Sequence, residues 1–199
     1  VPAVIESQND TRVVVRAGAG TAGTAGSVTV VSDSGAVTEE PLLWTYLNAS
    51  VISSVTPSFG QGGTVVTING TTLRGYGASV AQVLLAGEAA SILSETDGSV
   101  VAEARAIGGT KSGPVTVVAA SGATAESAMP FEYRQPGAIT QVSPSSGQRG
   151  TYVTISGTNL RGHGPEVVRV TLGGVSGEVV SENSTTVVVR AARQTVAVA

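Results

Sequence analysis

The chain has 199 residues, a formal net charge of −3 and no cysteine. The absent cysteines exclude disulfides and thiolate metal sites within this stretch. Only one Lys, Lys111, accompanies the arginines, and no basic cluster is present. Nucleic-acid binding is therefore not expected, because it depends on Lys and Arg that neutralise phosphates. No apolar run approaches the roughly 20 residues of a membrane span, so direct membrane insertion of this segment is not expected either.

An 87-residue repeat runs through the whole chain. Residues 142–164 match residues 55–77 at 16 of 23 positions, and the same offset lays residues 13–57 over 100–144. Self-similarity at a fixed period indicates a modular array. Three modules are predicted. Residues 1–49 are the C-terminal part of a first copy, residues 50–136 are one complete copy, and residues 137–199 are the N-terminal part of a third copy.

Two explanations fit the partial copies. A β module that lacks strands exposes unpaired backbone and an uncovered core face. The chain is then either an excerpt of a longer array, or neighbouring chains complete each other's partial modules by donating strands. The excerpt is the simpler explanation, and completion in trans stays open.

Short strands separated by turns are predicted along the complete module. The first strand covers residues 51–55. Pro57 follows it closely, and a proline at this place suits an edge strand. Residues 64–70 alternate as in a half-buried strand, with Val66 and Ile68 on one face. The further predicted strands, in chain order, are 82–85, 99–102, 115–118 and 131–133.

Turn residues separate these strands. Leu73 is expected to anchor a loop at 74–77, Gly87 marks a turn, and residues 96–98 (Thr-Asp-Gly) carry a hairpin signal. About seven short strands per repeat, with turns every 8–12 residues, indicate an immunoglobulin-like β-sandwich. No helix of useful length is predicted, so the expected fold class is all-β.

A patterned segment opens the complete module and returns at 142–160. It resembles the opening of an IPT/TIG domain, an early-set immunoglobulin-like fold, and residues 113–117 and 131–133 resemble that family's penultimate and last strands. The resemblance covers the whole chain and implies tandem sandwiches of this type. The family occurs in plexin-type receptors, in Rel-type transcription factors and in microbial and protist surface proteins, so it implies a fold more firmly than a task. The pattern is Pro57-x-x-Gly60-x-x-Gly63-Thr64-x-Val66-Thr67-Ile68-x-Gly70-x-x-Leu73.

No catalytic, cofactor or metal site is predicted. One His and no Cys cannot form a typical zinc site, and the scattered acidic residues do not fit a calcium loop. Loop 74–77 lacks the Lys-Ser/Thr and the helix of a phosphate-binding loop. The chain is therefore not expected to be an enzyme or to need a cofactor.

Loop 74–77 and its copy at 161–164 supply the candidate contact residues: Arg74, Tyr76, Arg161 and His163. Tyr76 is predicted to be exposed, and His163 is interpreted as an exposed loop residue. The other aromatic residues at matching repeat positions, Trp44, Phe131 and Tyr133, are assigned to the core or to a module junction.

Four of the five asparagines lie in N-x-S/T sequons. Because Ser and Thr make up 45 of the 199 residues, chance predicts about one such site. The excess favours a glycosylated, secreted protein, although the same asparagines would also serve as turn formers. The candidate N-glycosylation sites are Asn9, Asn48, Asn69 and Asn183.

Short junctions join the copies. Five residues separate Tyr46 from Ile52, and five separate Tyr133 from Ile139, with Pro136 stiffening the second junction. Neither is a flexible Gly/Ser tether. A regular orientation of neighbouring modules is therefore expected, as in a stiff rod.

These observations favour a non-catalytic structural or adhesive segment, such as a rod or filament, of an extracellular or cell-surface glycoprotein. Its expected partners are other protein modules, from the same chain or neighbouring copies, and cell-surface or matrix glycoproteins. One alternative is a carbohydrate-binding accessory region of a secreted enzyme or receptor, which needs exposed aromatic residues. Another is a module of an intracellular transcription factor, which the acidic, Lys-poor composition opposes.

Overall fold

The computed structural model describes residues 2–192, apart from the side chain of Leu42, and contains 19 β-strands and no helix within this range. The first repeat contributes β1 (Val4–Asn9), β2 (Arg12–Arg16), β3 (Ala25–Val31) and β4 (Val37–Thr45). The complete repeat contributes β5 (Val51–Thr56), β6 (Phe59–Gly60), β7 (Val65–Thr71), β8 (Val80–Leu85), β9 (Glu88–Glu95), β10 (Ser99–Glu103), β11 (Lys111–Gly113), β12 (Val115–Ala119), β13 (Thr124–Glu126) and β14 (Phe131–Tyr133). The third contributes β15 (Ala138–Ser143), β16 (Tyr152–Thr158), β17 (Val170–Leu172), β18 (Val175–Glu182) and β19 (Thr186–Arg190). No helix that could span a membrane occurs in this part of the chain.

The strands follow the 87-residue offset closely. Strands β7, β9 and β10 recur at that offset as β16, β18 and β19, with the same bounds in the repeat frame. In both copies the order of neighbours is the same, with β5 or β15 at one edge, followed by β7 or β16 and then by β10 or β19. The repeat in the sequence is therefore a repeat in the backbone.

The complete repeat folds as a β-sandwich with one continuous core. Seven strands pair in the order β13-β12-β8-β9-β10-β7-β5, and the two edges, β13 and β5, contact each other. A second sheet of β11, β14 and β6 lies beside them. The largest fully buried side chains are Tyr133, Phe131, Ile68, Leu73 and Leu85. The all-β, immunoglobulin-like prediction is confirmed.

Alternation along the strands explains which residues enter this core. Val66 and Ile68 in β7 are fully buried, as the sequence predicts, and the neighbouring strand β10 buries Val100 and Ala102 in the same way. Phe131 and Tyr133 are buried edge to face, with ring centroids 5.1 Å apart. The core assignment of these two aromatic residues is confirmed.

Two sequence predictions need correction. Residues 88–95 form the eight-residue strand β9, which is not among the predicted strands because Glu, Ala and Ser are weak strand formers. Its alternate residues, including Ala90 and Ile92, nevertheless pack against the core. Trp44 is 47% exposed and does not lie in a core, because β3 and β4 form a separate two-stranded sheet in the described part of the chain, and its alternative place at a module junction stays a prediction.

A glycine fixes the close approach of the first two strands in both copies. A Cβ on Gly70 would collide with the carbonyl oxygen of Val51, and a Cβ on Gly157 would collide with that of Ala138. In each copy the edge strand shifts register two residues further on, at a β-bulge. A glycine in a strand permits this close backbone approach.

We expect Gly70→Ala to lower the free energy of unfolding by about 2 kcal/mol, because the new methyl group has no space beside a backbone carbonyl. Gly108→Ala is the matched control, since a Cβ there meets no atom within 4 Å, and we expect it to change the free energy by less than about 0.5 kcal/mol. Urea unfolding followed by circular dichroism measures both values. Equal free energies for the two variants would contradict the close-approach assignment.

Candidate functional site

The loop that follows β7 and the loop that follows β16 share an unusual backbone conformation. Thr72 and Tyr76 have φ values of 52° and 60°, and their counterparts Asn159 and His163 have 49° and 67°. For a residue other than glycine, this left-handed backbone conformation costs about 1–2 kcal/mol of conformational free energy. The same strained positions recur in both copies, so the surrounding contacts must hold each loop in this shape.

A bidentate ion pair provides such a contact. In the complete repeat, Arg74 Nε donates to Glu95 Oε2 at 2.8 Å and Nη2 donates to Oε1 at 3.1 Å. In the third repeat, Arg161 makes the same two bonds to Glu182 at 2.7 and 2.9 Å. The carboxylates are only 19% and 17% exposed, so solvent screens them only in part. Each pair fastens the loop to the β9–β10 or β18–β19 hairpin.

The ion pair changes the titration of the carboxylates. The hydrogen bond from Arg74 holds the pKa of Glu95 below its usual value, and Arg161 has the same effect on the pKa of Glu182. Partial burial opposes both shifts without reversing them. The charged form is therefore the one that the folded protein stabilises.

The hairpin also binds the loop through its backbone. Leu73 N donates to the carbonyl oxygen of Asp97 at 2.9 Å, and Arg74 N donates to Asp97 Oδ1 at 3.0 Å. On the other side, Ser121 Oγ donates to the carbonyl oxygen of Gly75 at 2.7 Å. Asp97 thus acts in a turn, as predicted, and it also caps the neighbouring loop.

In the third repeat the loop reaches the junction between copies. His163 Nε2–H donates to the carbonyl oxygen of Gln135 at 2.9 Å, and Asn159 Nδ2 donates to the same oxygen at 3.3 Å. From the complete repeat, Gln61 Oε1 accepts a hydrogen bond of 2.8 Å from Gly137 N. The junction therefore accepts hydrogen bonds from, or donates them to, side chains of both repeats that it connects.

Gln61 also lies next to the third-repeat loop itself. A Cβ on Gly162 would stand 3.1 Å from Gln61 Nε2, so the glycine leaves room for this side chain. Gln148 occupies the same position as Gln61 in the repeat and has the same local turn, in which its N donates to Thr151 Oγ1. The side chain of Gln148 is exposed and makes no hydrogen bond within residues 2–192.

The structure assigns different surroundings to the four predicted contact residues. Tyr76 is 54% exposed, as predicted. Arg74 and Arg161 keep 37% and 35% of their side chains exposed, while Nε and Nη2 of each guanidinium group are bonded to a carboxylate of the same repeat, so their role as contact residues stays a prediction. His163 is a loop residue of intermediate exposure whose ring is bonded to the junction, and its role as a contact residue stays a prediction.

All four candidate glycosylation asparagines are exposed. Asn9 and Asn183 lie at the tips of equivalent hairpins, β1–β2 and β18–β19. Asn69 lies within β7, and Asn48 lies in the junction that precedes the complete repeat.

Three junction residues, Gln61, Gln135 and Asn159, are absent from the predicted site. Gln61 offered a signal, since a glutamine recurs at this position of the repeat within a glycine-rich turn. Gln135 acts through its backbone carbonyl, so the identity of its side chain gives no sign of this role.

Within residues 2–192 no group of three or more His, Cys, Asp or Glu side chains lies close enough to hold a metal ion.

Comparison with known proteins identifies the domain family of the chain. The model of the IPT/TIG domain family matches residues 50–133 and 138–198, which is well over half of the chain. No curated protein matches the chain significantly. One similar solved structure is the full extracellular region of plexin A4, domains 1 to 10, with 24% identity and a TM-score of 0.51 over 72% of this chain and 13% of that one.

A second similar structure is the surface protein SGBP-B of a Bacteroides ovatus mixed-linkage glucan utilization locus, in complex with a heptasaccharide. It has 15% identity and a TM-score of 0.35 over 96% of this chain and 49% of that one. The chain spans about one eighth of the plexin chain and about half of the Bacteroides protein.

We expect Glu95→Gln to lower the thermal midpoint at neutral pH, because it removes the charge that Arg74 binds. The folded-state pKa of Glu95 lies below its unfolded value of about 4.3, so the stabilisation is present above that pH and disappears as pH falls through the folded pKa. The midpoints of wild type and variant should therefore converge in acid. Calorimetry from neutral pH into acid checks this.

The control for this experiment is Glu103→Gln, since Glu103 is exposed and has no ion-pair partner in the part of the chain that the structure describes. The thermal midpoint of Glu103→Gln should equal that of the wild-type protein at every pH. A Glu95→Gln deficit that stays constant into acid would show that the charge of Glu95 is not what fastens the loop.

Proposed function

Because the chain belongs to the IPT/TIG domain family, with its fold repeated along the sequence, we propose that it is a non-catalytic structural segment of a secreted or cell-surface glycoprotein. In this proposal, tandem modules are held at a fixed relative orientation and form a stiff rod or filament. Its partners are other modules of the same kind and the glycoproteins of a cell surface or matrix, which it contacts in a structural or adhesive role.

The hydrogen bonds across the junction carry this proposal. Gln61 of the complete repeat bonds to Gly137, and His163 of the third repeat bonds to the carbonyl of Gln135. A flexible linker would leave these donors and acceptors to water. Bonds from both repeats to one short segment instead restrict rotation about it, which is the property that a stiff spacer needs.

Two observations support an extracellular location. Four exposed sequons are present, where chance predicts about one. The fold is also that of a solved extracellular region, that of plexin A4. A rod in this location would act through its length and lateral surface, and the junctions would set its stiffness.

We expect Gln61→Ala to broaden the distribution of orientations between the complete and third repeats, because it removes the bond to Gly137. Since the chain has no cysteine, spin labels can be placed at Ser91→Cys and Ser176→Cys, which are exposed positions in the two repeats. Pulsed dipolar spectroscopy then measures the width of the distance distribution.

Gln148→Ala is the matched control, because it removes the same residue from the same turn without touching the junction. Wild type and Gln148→Ala should give one narrow distribution, and Gln61→Ala a broader one. A distribution that is already broad in wild type, or equal widths in all three proteins, would contradict the stiff-spacer proposal.

One observation favours carbohydrate binding as a second candidate function. Tyr76 presents a 54% exposed ring on a loop held by the Arg74–Glu95 pair, and a fixed aromatic ring is suited to stacking on a sugar. SGBP-B of Bacteroides ovatus was solved with a bound heptasaccharide, which offers an oligosaccharide class to test first.

Under this second function, Tyr76→Ala should abolish binding on an oligosaccharide array. Tyr152→Ala is the control, because Tyr152 is equally exposed, at 58%, but lies on a strand. If wild type binds no oligosaccharide, or if both variants bind as wild type does, the carbohydrate-binding function is contradicted.

A further inference from the structure

One hairpin tip recurs in all three repeats, beginning at Asn9, Thr96 and Asn183. At each tip the side-chain oxygen of this residue accepts hydrogen bonds from the backbone of the turn, from one N–H group at Asn9 and from two at Thr96 and Asn183. Thr96 Oγ1 accepts from Ser99 N at 3.0 Å, and Asn183 Oδ1 accepts from Thr186 N at 2.8 Å. Threonine thus closes this turn as asparagine does, so the turn itself does not require a carboxamide.

The two asparagine tips share a second feature, because the threonine of the sequon bonds to the same oxygen. Thr11 Oγ1 donates to Asn9 Oδ1 at 3.1 Å, and Thr185 Oγ1 donates to Asn183 Oδ1 at 3.0 Å. With Oδ1 turned into the turn, Nδ2 is left on the outer side. In neither asparagine does Nδ2 make a hydrogen bond within residues 2–192, and both residues are exposed.

Asn69 provides the contrast. It lies inside β7, between β5 and β10, and its Nδ2 donates to Ser54 Oγ at 3.2 Å. A group on this nitrogen would replace that bond and would have to lie over the neighbouring strands. The sequon at Asn69 is therefore much less suited to a large substituent than the two hairpin tips.

The tip at Asn183 is also rigidly attached to its module. The carbonyl oxygen of Ser184 accepts a bond of 2.9 Å from Leu160 N, and that of Thr185 accepts a bond of 2.9 Å from Gly157 N. These bonds lead directly into the loop that contacts the junction. A substituent on Asn183 would therefore leave the surface in a fixed direction, close to the junction.

We propose that Asn9 and Asn183 are N-glycan attachment sites and that Asn69 is not. The inference rests on the secreted location in the proposed function. In the reaction, Nδ2 bonds to the anomeric carbon of a lipid-diphosphate-linked oligosaccharide. The bond from that carbon to the diphosphate oxygen breaks, the lipid diphosphate leaves, and one amide proton passes to a base of the transferring enzyme.

The test is secretion of the full chain from a eukaryotic host that N-glycosylates, followed by glycopeptide mapping. We expect glycan on Asn9 and Asn183 in most molecules and on Asn69 in few. Asn183→Thr, which copies the residue at the tip of the complete repeat, should remove the mass of one glycan. Thr185→Ala should remove the same mass, although it keeps the Asn183 side chain.

Circular dichroism of the deglycosylated proteins checks that Asn183→Thr keeps the fold. An unoccupied Asn183 in the folded, secreted chain, or occupancy of Asn69 equal to that of Asn183, would overturn the assignment. Protein from its native source separates the two proposals. Glycans in the host but none on the native protein would contradict the glycoprotein part of the proposed function and leave the choice of Asn9 and Asn183 over Asn69 supported.

Discussion

The arginine–glutamate pair behind the loop is the interaction on which the junction depends. The loop after β16 contains two non-glycine residues in the left-handed region, so on its own it would relax to another shape. Arg161 and Glu182 hold it against the hairpin, and in that position Asn159 and His163 donate to the carbonyl oxygen of Gln135. An ion pair inside one module thus supports the loop that bonds to the junction.

The two junctions use different chemistry at equivalent positions. Before the complete repeat, Ser50 Oγ donates to the carbonyl oxygen of Thr72 at 2.6 Å. Its counterpart is Gly137, where a Cβ would lie 2.5 Å from the carbonyl oxygen of Asn159. In both junctions the chain thus passes close to a carbonyl oxygen of the loop. The first junction has a serine hydroxyl there, and the second has a glycine with no side chain. Tyr76 and His163 differ in the same way, one exposed and the other bonded.

Local patterns in the sequence predicted much of the fold, and contacts between distant residues account for what they did not. Alternation identified β7 and its buried Val66 and Ile68, because that signal lies within one strand. Strand β9 was missed, since its weak strand formers are held by neighbours on both sides. The pairing of Arg74 with Glu95 spans 21 residues, which no local pattern reveals. The same spacing returns between Arg161 and Glu182, so comparing the copies for paired charges would have found it.

The junction is asymmetric, with Gln61 on one partner and the 159–163 loop on the other. A head-to-tail contact of this kind joins two different surfaces, in contrast to a two-fold interface. Gln148 repeats the position of Gln61, so the third copy carries the same side chain. Duplication of one whole 87-residue unit in the gene would therefore add a copy that carries both a glutamine and a loop at these two positions.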